Sequence, residues 1–200
     1  DRSIPSSDNG HKVRIVGTPL DREIIEEAKK SGYHITLKRQ LPENIEYYHA
    51  EEFGKALQDC DLLIGGVSSF GVEWFGETVL PNIPKILPVL SVTKGLQSRE
   101  DGTLISLPDY LSAKQGCEGL SLNAVGGPCI SFELADRHDT VVAFCGHNMD
   151  DLLKIKDMLS TDYYHINLST DVMGVETAVA MKNAYALGVT LAIGLAESKN

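Results

Sequence analysis

DLLIGGVSSFGVEWFGETVLPNIPKILPVLSVTKG, residues 61–95, is the stretch that decides the fold. Asp61 to Val67 is a short apolar run with small residues at its exit, the pattern of a buried strand. Phe70 to Leu80 reads as a helix, and Pro88 to Thr93 (PVLSVT) as a second apolar strand. Two buried strands bridged by a helix imply a right-handed β-α-β crossover, with the strands in one parallel sheet.

The same rhythm extends both ways. Upstream, Val13 to Val16 (VRIV) is a short strand ending at Gly17. Asp21 is the expected N-cap of a helix through Lys30, closed by Gly32. Tyr33 to Tyr48 shows no clear period, with Ile45 to His49 a candidate strand. Glu51 to Gln58 reads as a short amphipathic helix, and the first ten residues (DRSIPSSDNG) as irregular. Downstream, Leu120–Val125, Thr140–Cys145 and Tyr163–Leu168 read as strands. Helices are expected near Ser131–Ala135, over Met149–Leu159, and from Val172 to near Glu197. The class is α/β with a mostly parallel sheet.

The 200 residues suit one domain, or one domain and part of another. A formal charge of -10 argues against a general nucleic-acid binder, which needs a basic footprint. It leaves room for small phosphorylated ligands, which need only one or two cations and a helix N-terminus. Cys60, Cys117, Cys129 and Cys145 are scattered without a C-x-x-C pair. Reduced thiols and a cytoplasmic setting are therefore expected, with neither a disulfide framework nor a zinc site. The six histidines show no metal-ligand spacing, so no metal is expected. No unbroken run of ~18 apolar residues exists, so no membrane span is expected, and Asp1 to Gly10 is too polar for a signal peptide.

Ligands of open parallel sheets bind beyond the carboxyl ends of the strands. Gly17-Thr18, Ser68-Ser69-Phe70, Lys94-Gly95 and Gly126 to Ser131 are so placed. Lys94 reads either as a cation at the mouth of the crevice or as a surface lysine at a strand end. The glycines at 126 and 127 let backbone approach an anion or a cofactor amide, although Gly-Gly-Pro also marks many turns. Cys129 stands where a thiolate would be favoured, with no base placed beside it. Ser68-Ser69 lacks the G-x-S-x-G elbow of a serine hydrolase. Lys182 shares a helical stripe with Val175, Ala178, Ala186, Val189 and Ile193. Either its stem packs there while the ammonium reaches water, or the ammonium sits in a cleft where desolvation lowers its pKa.

Three segments, SVTKGL (Ser91–Leu96), NAVGGPCISFELA (Asn123–Ala135) and STDVMGVETAVAMKNAYALG (Ser169–Gly188), follow one another in a specific order. Together they resemble the NAD(P)-dependent glycerol-3-phosphate dehydrogenase family, over about Ser7 to Glu197. The third is the most specific, a K-N helix after a T-D-x-x-G turn. The resemblance implies a Rossmann-like dinucleotide domain over residues 1–170. It implies the first helix of an all-α substrate domain over 171–200. It implies hydride transfer between NAD or NADP and dihydroxyacetone phosphate or glycerol 3-phosphate, in glycerol-3-phosphate metabolism and phospholipid biosynthesis. By motif, Lys182 and Lys94 are catalytic. Lys94, Gly127, Cys129, Lys182 and Asn183 meet the substrate. Thr18, Phe70, Lys94 and Ser131 meet the cofactor. Cys129 and Ser131 replace the family's usual serine and alanine.

The family also has an initial strand with a G-x-G-x-x-G turn, and a further helical domain that holds the substrate phosphate. Neither is in this sequence, so the chain reads as truncated at both ends. A related dehydrogenase of another small hydroxy acid is one rival reading. A catalytically inactive module that self-associates through the small-residue helix is another. The partners expected are a phosphorylated triose and a second copy in a homodimer. NAD and NADP are left open, because Asp21 and Arg22 follow Thr18 with opposite implications for the ribose.

Overall fold

The computed structural model describes residues 1–197. In chain order the elements are α1 (Ser3–Asp8), β1 (Val13–Val16), α2 (Arg22–Ser31), β2 (Tyr33–His34), β3 (Arg39–Gln40), β4 (Ile45–Tyr48), α3 (Phe53–Ala56), β5 (Leu63–Gly65), α4 (Val72–Trp74), β6 (Val89–Ser91), β7 (Leu96–Ser98), β8 (Leu104–Ser106), α5 (Leu107–Ser112), β9 (Leu122–Gly126), α6 (Ser131–Ala135), β10 (Thr140–Cys145), α7 (Met149–Leu159), β11 (Tyr164–Ser169) and α8 (Val172–Glu197). The helix α4 is the centre of a longer helical stretch, Ser69 to Asn82.

Five strands form the central sheet in the order β11-β10-β9-β6-β5. All neighbours are parallel except β9 and β10. The expected crossover is present: β5 and β6 pair in parallel, with Leu63 opposite Val89 and Gly65 opposite Ser91. Successive residues of a strand point to opposite faces. Accordingly Val89 packs with Phe75, Leu80 and Leu111 on one face. Leu90 packs with Phe144, Leu152 and Ile155 on the other. Strands β6 and β9 at the centre are covered on both sides and read as apolar runs, while β10 and β11 bury one face more than the other. Strands β1 and β4 pair in parallel as a separate two-stranded sheet.

Capping follows the local chemistry. Helix α2 ends at Gly32, whose φ of 69° is the left-handed conformation that glycine adopts without strain. The Asn148 side chain accepts from the backbone N–H of Asp150 and Asp151 and starts α7.

Residues 1–10 depart from the expected irregular segment, since α1 occupies Ser3–Asp8. Pro5 is tolerated because the first turn of a helix leaves its N–H groups without intrahelical partners. Ile4, 2 % exposed, anchors the helix against Leu41 and Ile45. Two hairpins, β2–β3 and β7–β8, had no counterpart in the sequence reading, and neither had α5. Strands of two or three residues are too short to show a period. The N-terminus of α5 did carry a legible signal: the Ser106 hydroxyl accepts from the Asp109 N–H at 3.2 Å, with Pro108 in the first turn.

Helix α8 rests on the sheet only through its first turns. From Met181 to Glu197 every residue is exposed. By length and composition α8 qualifies as a candidate membrane span, with a mean hydropathy of 1.4 over an 18-residue window. The run-based reading overlooked this because Glu176, Lys182 and Asn183 break the apolar run without lowering the average enough.

Candidate active site

The carboxyl ends of β6 and β9 converge on the first turns of α8. Val172 packs there with Ala124 and Cys145, and Val175 lies against the same cluster. The helix comes this close because position 126 lacks a side chain. A Cβ on Gly126 would stand 2.5 Å from Val179 and 3.0 Å from Val175. The next residue, Gly127, takes a φ of 120°, a conformation L residues rarely adopt.

Lys94 leaves the end of β6 and crosses to this turn. Its Nζ donates to the Gly127 carbonyl at 3.1 Å. Together with Gly95, Val179, Ala180, Lys182 and Asn183 it lines a cleft of about 400 Å³. A second, more apolar groove of about 370 Å³ runs past Gly126, Gly127, Pro128 and Val142, and Lys182 borders it too. Lys182 therefore stands on the ridge between the two cavities, within reach of a ligand in either.

Burial lowers the Lys94 pKa, and the cations Arg2 and Lys182 lower it further, against the opposing pull of Cys129 and Glu176. Of the two readings of Lys182, its exposed side chain fits the one in which the ammonium reaches water. The residues of α8 that pack on the sheet are Val172, Val175, Glu176 and Val179, so the helix meets it along one edge of the stripe that carries Val175 and Lys182.

The structure thus gathers Lys94, Lys182 and Asn183 in one cleft and ties Gly127 to them. Thr18, Phe70, Cys129 and Ser131 line neither cavity. Cys129 is half-buried against the core beneath β9 and β10, and Ser131 is the exposed first residue of α6. Phe70 stands 97 % exposed just past the end of β5. Thr18 follows β1, and both its N–H and its hydroxyl donate to the Asp21 carboxylate, at 2.9 and 2.6 Å. Arg22 pairs with Glu51. Both residues weighed for cofactor choice are therefore already engaged.

Glu176 escaped the sequence reading. It is fully buried, and neither carboxyl oxygen has a hydrogen-bond partner among the described residues. Burial raises its pKa to about 7, and only the Lys94 charge opposes the shift. An acid between Val172, Val175 and Val179 at helical spacing was the signal that marked it.

Residues 4–151 match the family described as NAD-dependent glycerol-3-phosphate dehydrogenase N-terminus. The chain belongs to this glycerol-3-phosphate dehydrogenase family. An NADP(+)-dependent glycerol-3-phosphate dehydrogenase of Archaeoglobus fulgidus is 30 % identical over 99 % of this chain and 58 % of its own length. A glycerol-3-phosphate dehydrogenase [NAD(P)+] of Desulfotalea psychrophila is 27 % identical over 96 % of the chain and 56 % of its own. The crystal structure of glycerol-3-phosphate dehydrogenase from Coxiella burnetii superposes with a TM-score of 0.77 at 18 % identity. It is matched over 90 % of this chain and 53 % of its own, and shows a shared Rossmann-type fold. The chain spans a little over half the length of the relatives it matches.

Proposed function

We propose that the protein is a glycerol-3-phosphate dehydrogenase, moving a hydride between NAD(P)H and C2 of dihydroxyacetone phosphate or glycerol 3-phosphate. The observation that carries this is the convergence of Lys94 and Lys182 with Asn183 on one cleft, at the strand ends of a chain of this family. Two ammonium groups side by side in a chain of charge -10 mark a site for an anionic ligand.

The residues present fit a dinucleotide. A Cβ on Gly66 would meet nothing within 4 Å, so the ground just past β5 is open, and the exposed Phe70 ring stands beside it as a flat apolar surface. Thr18 and Phe70 would hold the adenosine end, and Ser131 and Lys94 the nicotinamide end. When bound, the nicotinamide supplies the hydride in reduction and accepts it in oxidation. The chain's own residues handle the rest. Lys182 gives a proton from Nζ to the C2 oxygen as the carbonyl becomes a hydroxyl, and takes it back in the reverse direction. Lys94 stabilises the negative charge that builds on that oxygen. Asn183 and Gly127 orient the substrate, with Cys129 beneath them.

The test is turnover of dihydroxyacetone phosphate by the full-length protein with NADH and with NADPH. Lys182→Ala should lower kcat by a factor on the order of 10²–10⁴ while cofactor binding persists. Near-normal turnover by that variant overturns the role. A panel of other small keto acids decides between this substrate and a related one.

A second reading is favoured by one observation. Tyr185, Leu187, Val189, Leu191, Ile193 and Leu195 on α8 are all exposed, which suits self-association into a homodimer. Sedimentation velocity measures the assembly, and absence of NAD(P)H binding would favour the inactive module. We place the protein in the cytoplasm, a setting supported by its four free thiols. We take α8 to pack against protein rather than lipid.

A further inference from the structure

We propose that Glu176 is a positioning residue for the proposed dehydrogenase reaction, a buried counter-charge set behind the Lys94 ammonium at the cleft. The inference rests on the dehydrogenase reading above.

Position is the first argument. Glu176 lies on the stripe of α8 that faces the sheet, with Val172, Val175 and Val179. Asn183, seven residues later and so on the same side of the helix, lines the cleft with Lys94. Glu176 is therefore rooted in the wall behind the cleft.

Isolation is the second. A buried carboxyl without a hydrogen-bond partner is costly, and an apolar residue of similar volume would pack better at such a site. Neither oxygen of Glu176 is bonded among the described residues, and its side chain is fully buried. Packing alone does not account for an acid here.

The third is what faces it. From the β6–β7 connection comes Lys94, the only charge that moves the Glu176 carboxyl among the described residues. From β10 comes Cys145, whose thiol burial pushes up to about 12, with Glu176, Asp171 and Asp109 adding to the shift. Lys94 in turn is pressed toward its neutral form by burial, by Arg2 and by Lys182. The groups that resist are the Cys129 thiol and Glu176. Lys94 itself donates to the Gly127 carbonyl at 3.1 Å, so Glu176 acts on it through charge at a distance and not through a bond.

Lys182 and Lys94 repel each other while serving the same anion, so one of them needs a fixed counter-charge. A carboxyl on the far side of the wall supplies it without occupying the cleft. The coupling strengthens as pH rises through neutrality, because Glu176 then takes up its negative charge.

The experiment compares full-length wild type with Glu176→Gln and Glu176→Asp. With Gln, KM for the phosphorylated substrate should rise about tenfold while kcat changes less than about threefold. The alkaline limb of kcat/KM should move to lower pH, and Asp should recover part of both effects. Inorganic phosphate binding, measured by calorimetry on cofactor-free protein, should weaken by a similar factor and show the same alkaline shift. This second readout separates the two ideas. If wild type turns over no triose phosphate, the dehydrogenase reading fails while the phosphate titration still tests the pairing of Glu176 with Lys94. A folded Gln variant with unchanged phosphate affinity and unchanged pH profile overturns the proposal. Should Gln fail to fold, Lys94→Met provides the check. Its loss of thermal stability should be greater at pH 8 than at pH 5, because an ionised Glu176 is then left without its cation. Equal losses at the two pH values refute the pairing.

Discussion

Replacing Glu176 by Gln should make this protein more stable at pH 8 and leave it nearly unchanged at pH 5. The carboxyl is raised from 4.5 to about 7 in the folded chain, by burial first, with Lys94 opposing. A folded pKa above the unfolded one means that the native state keeps a proton the unfolded chain has released. Stability contributed by this group is therefore present below about pH 4.5, declines as pH rises, and levels off above about 7. The difference of about 2.5 units corresponds to about 3 kcal/mol. In a chain of this length each kcal/mol moves Tm by about 2–4 °C. Gln resembles the neutral acid in shape and never ionises, so the variant lacks the decline. The assay is thermal unfolding of wild type and Glu176→Gln in parallel from pH 5 to 8. Taking the difference cancels other titrations, including His34, whose pKa burial lowers and whose effect on stability has the opposite slope across this range. The two Tm curves should separate by about 6–12 °C toward pH 8. Curves that stay parallel would show that Glu176 is not a buried acid carrying this strain.

Gly126→Ala should lift α8 from the sheet, since the new methyl would meet Val179 at 2.5 Å. A loss of about 1–3 kcal/mol in denaturant unfolding is expected, with weakened ligand binding at the cleft. Asn148→Ala removes the cap that holds the Asp150 N–H at 2.9 Å and should cost about 1 kcal/mol by the same measurement. Asp8→Asn should destabilise at pH 7 and show a shrinking deficit as acid is added. The Asp8 carboxylate accepts two bonds from Arg137 at 2.8 Å and one from the Tyr163 hydroxyl, and hydrogen bonding to Arg137 foremost holds its pKa below the usual range. A depressed carboxylate contributes stability above its unfolded pKa and loses it as pH falls through the folded value, so urea midpoints at neutral and acid pH check the sign.

The inner strands of the central sheet were legible because both faces are covered, which leaves apolar runs such as PVLSVT, and β11 was legible because it alternates. Helix α7 was legible because an Asn cap and a 3.6-residue period agree. The β7–β8 hairpin was not, because its strands of three residues each are held by α8 and α5 rather than by any period of their own. The cleft was half legible. Lys94 follows from strand-end position and Lys182 from its odd neighbours, but helical spacing drew the apolar stripe through Val175, Ala178, Lys182 and Ala186, which shares only Val175 with the residues that meet the sheet. The stripe that packs is chosen by the missing side chain at Gly126, which admits Val175 and Val179. That choice buries Glu176 and exposes Lys182. An acid in a helix ordinarily reads as surface, so only its place among Val172, Val175 and Val179 could have marked it as buried.

The same choice of stripe bears on what α8 meets beyond the cleft. A helix that is apolar all round belongs inside a protein or a bilayer. Its first turns are pinned to β9 and β10 through Val172, Val175 and Val179, and Lys182 and Asn183 line the cleft. These residues cannot serve the cleft and lie in lipid at once. The remainder of the described helix is residues 184–197. Small residues on this segment, Ala184, Ala186, Gly188 and Gly194, interleave with Leu187, Leu191 and Leu195, a pattern suited to close packing of one helix on another. Protein thus fits the exposed half of α8 better than lipid does. A helix clamped at one end to the sheet and at the other to further protein would hold Lys182 fixed on its ridge between the two cavities, as proton transfer to a bound substrate requires.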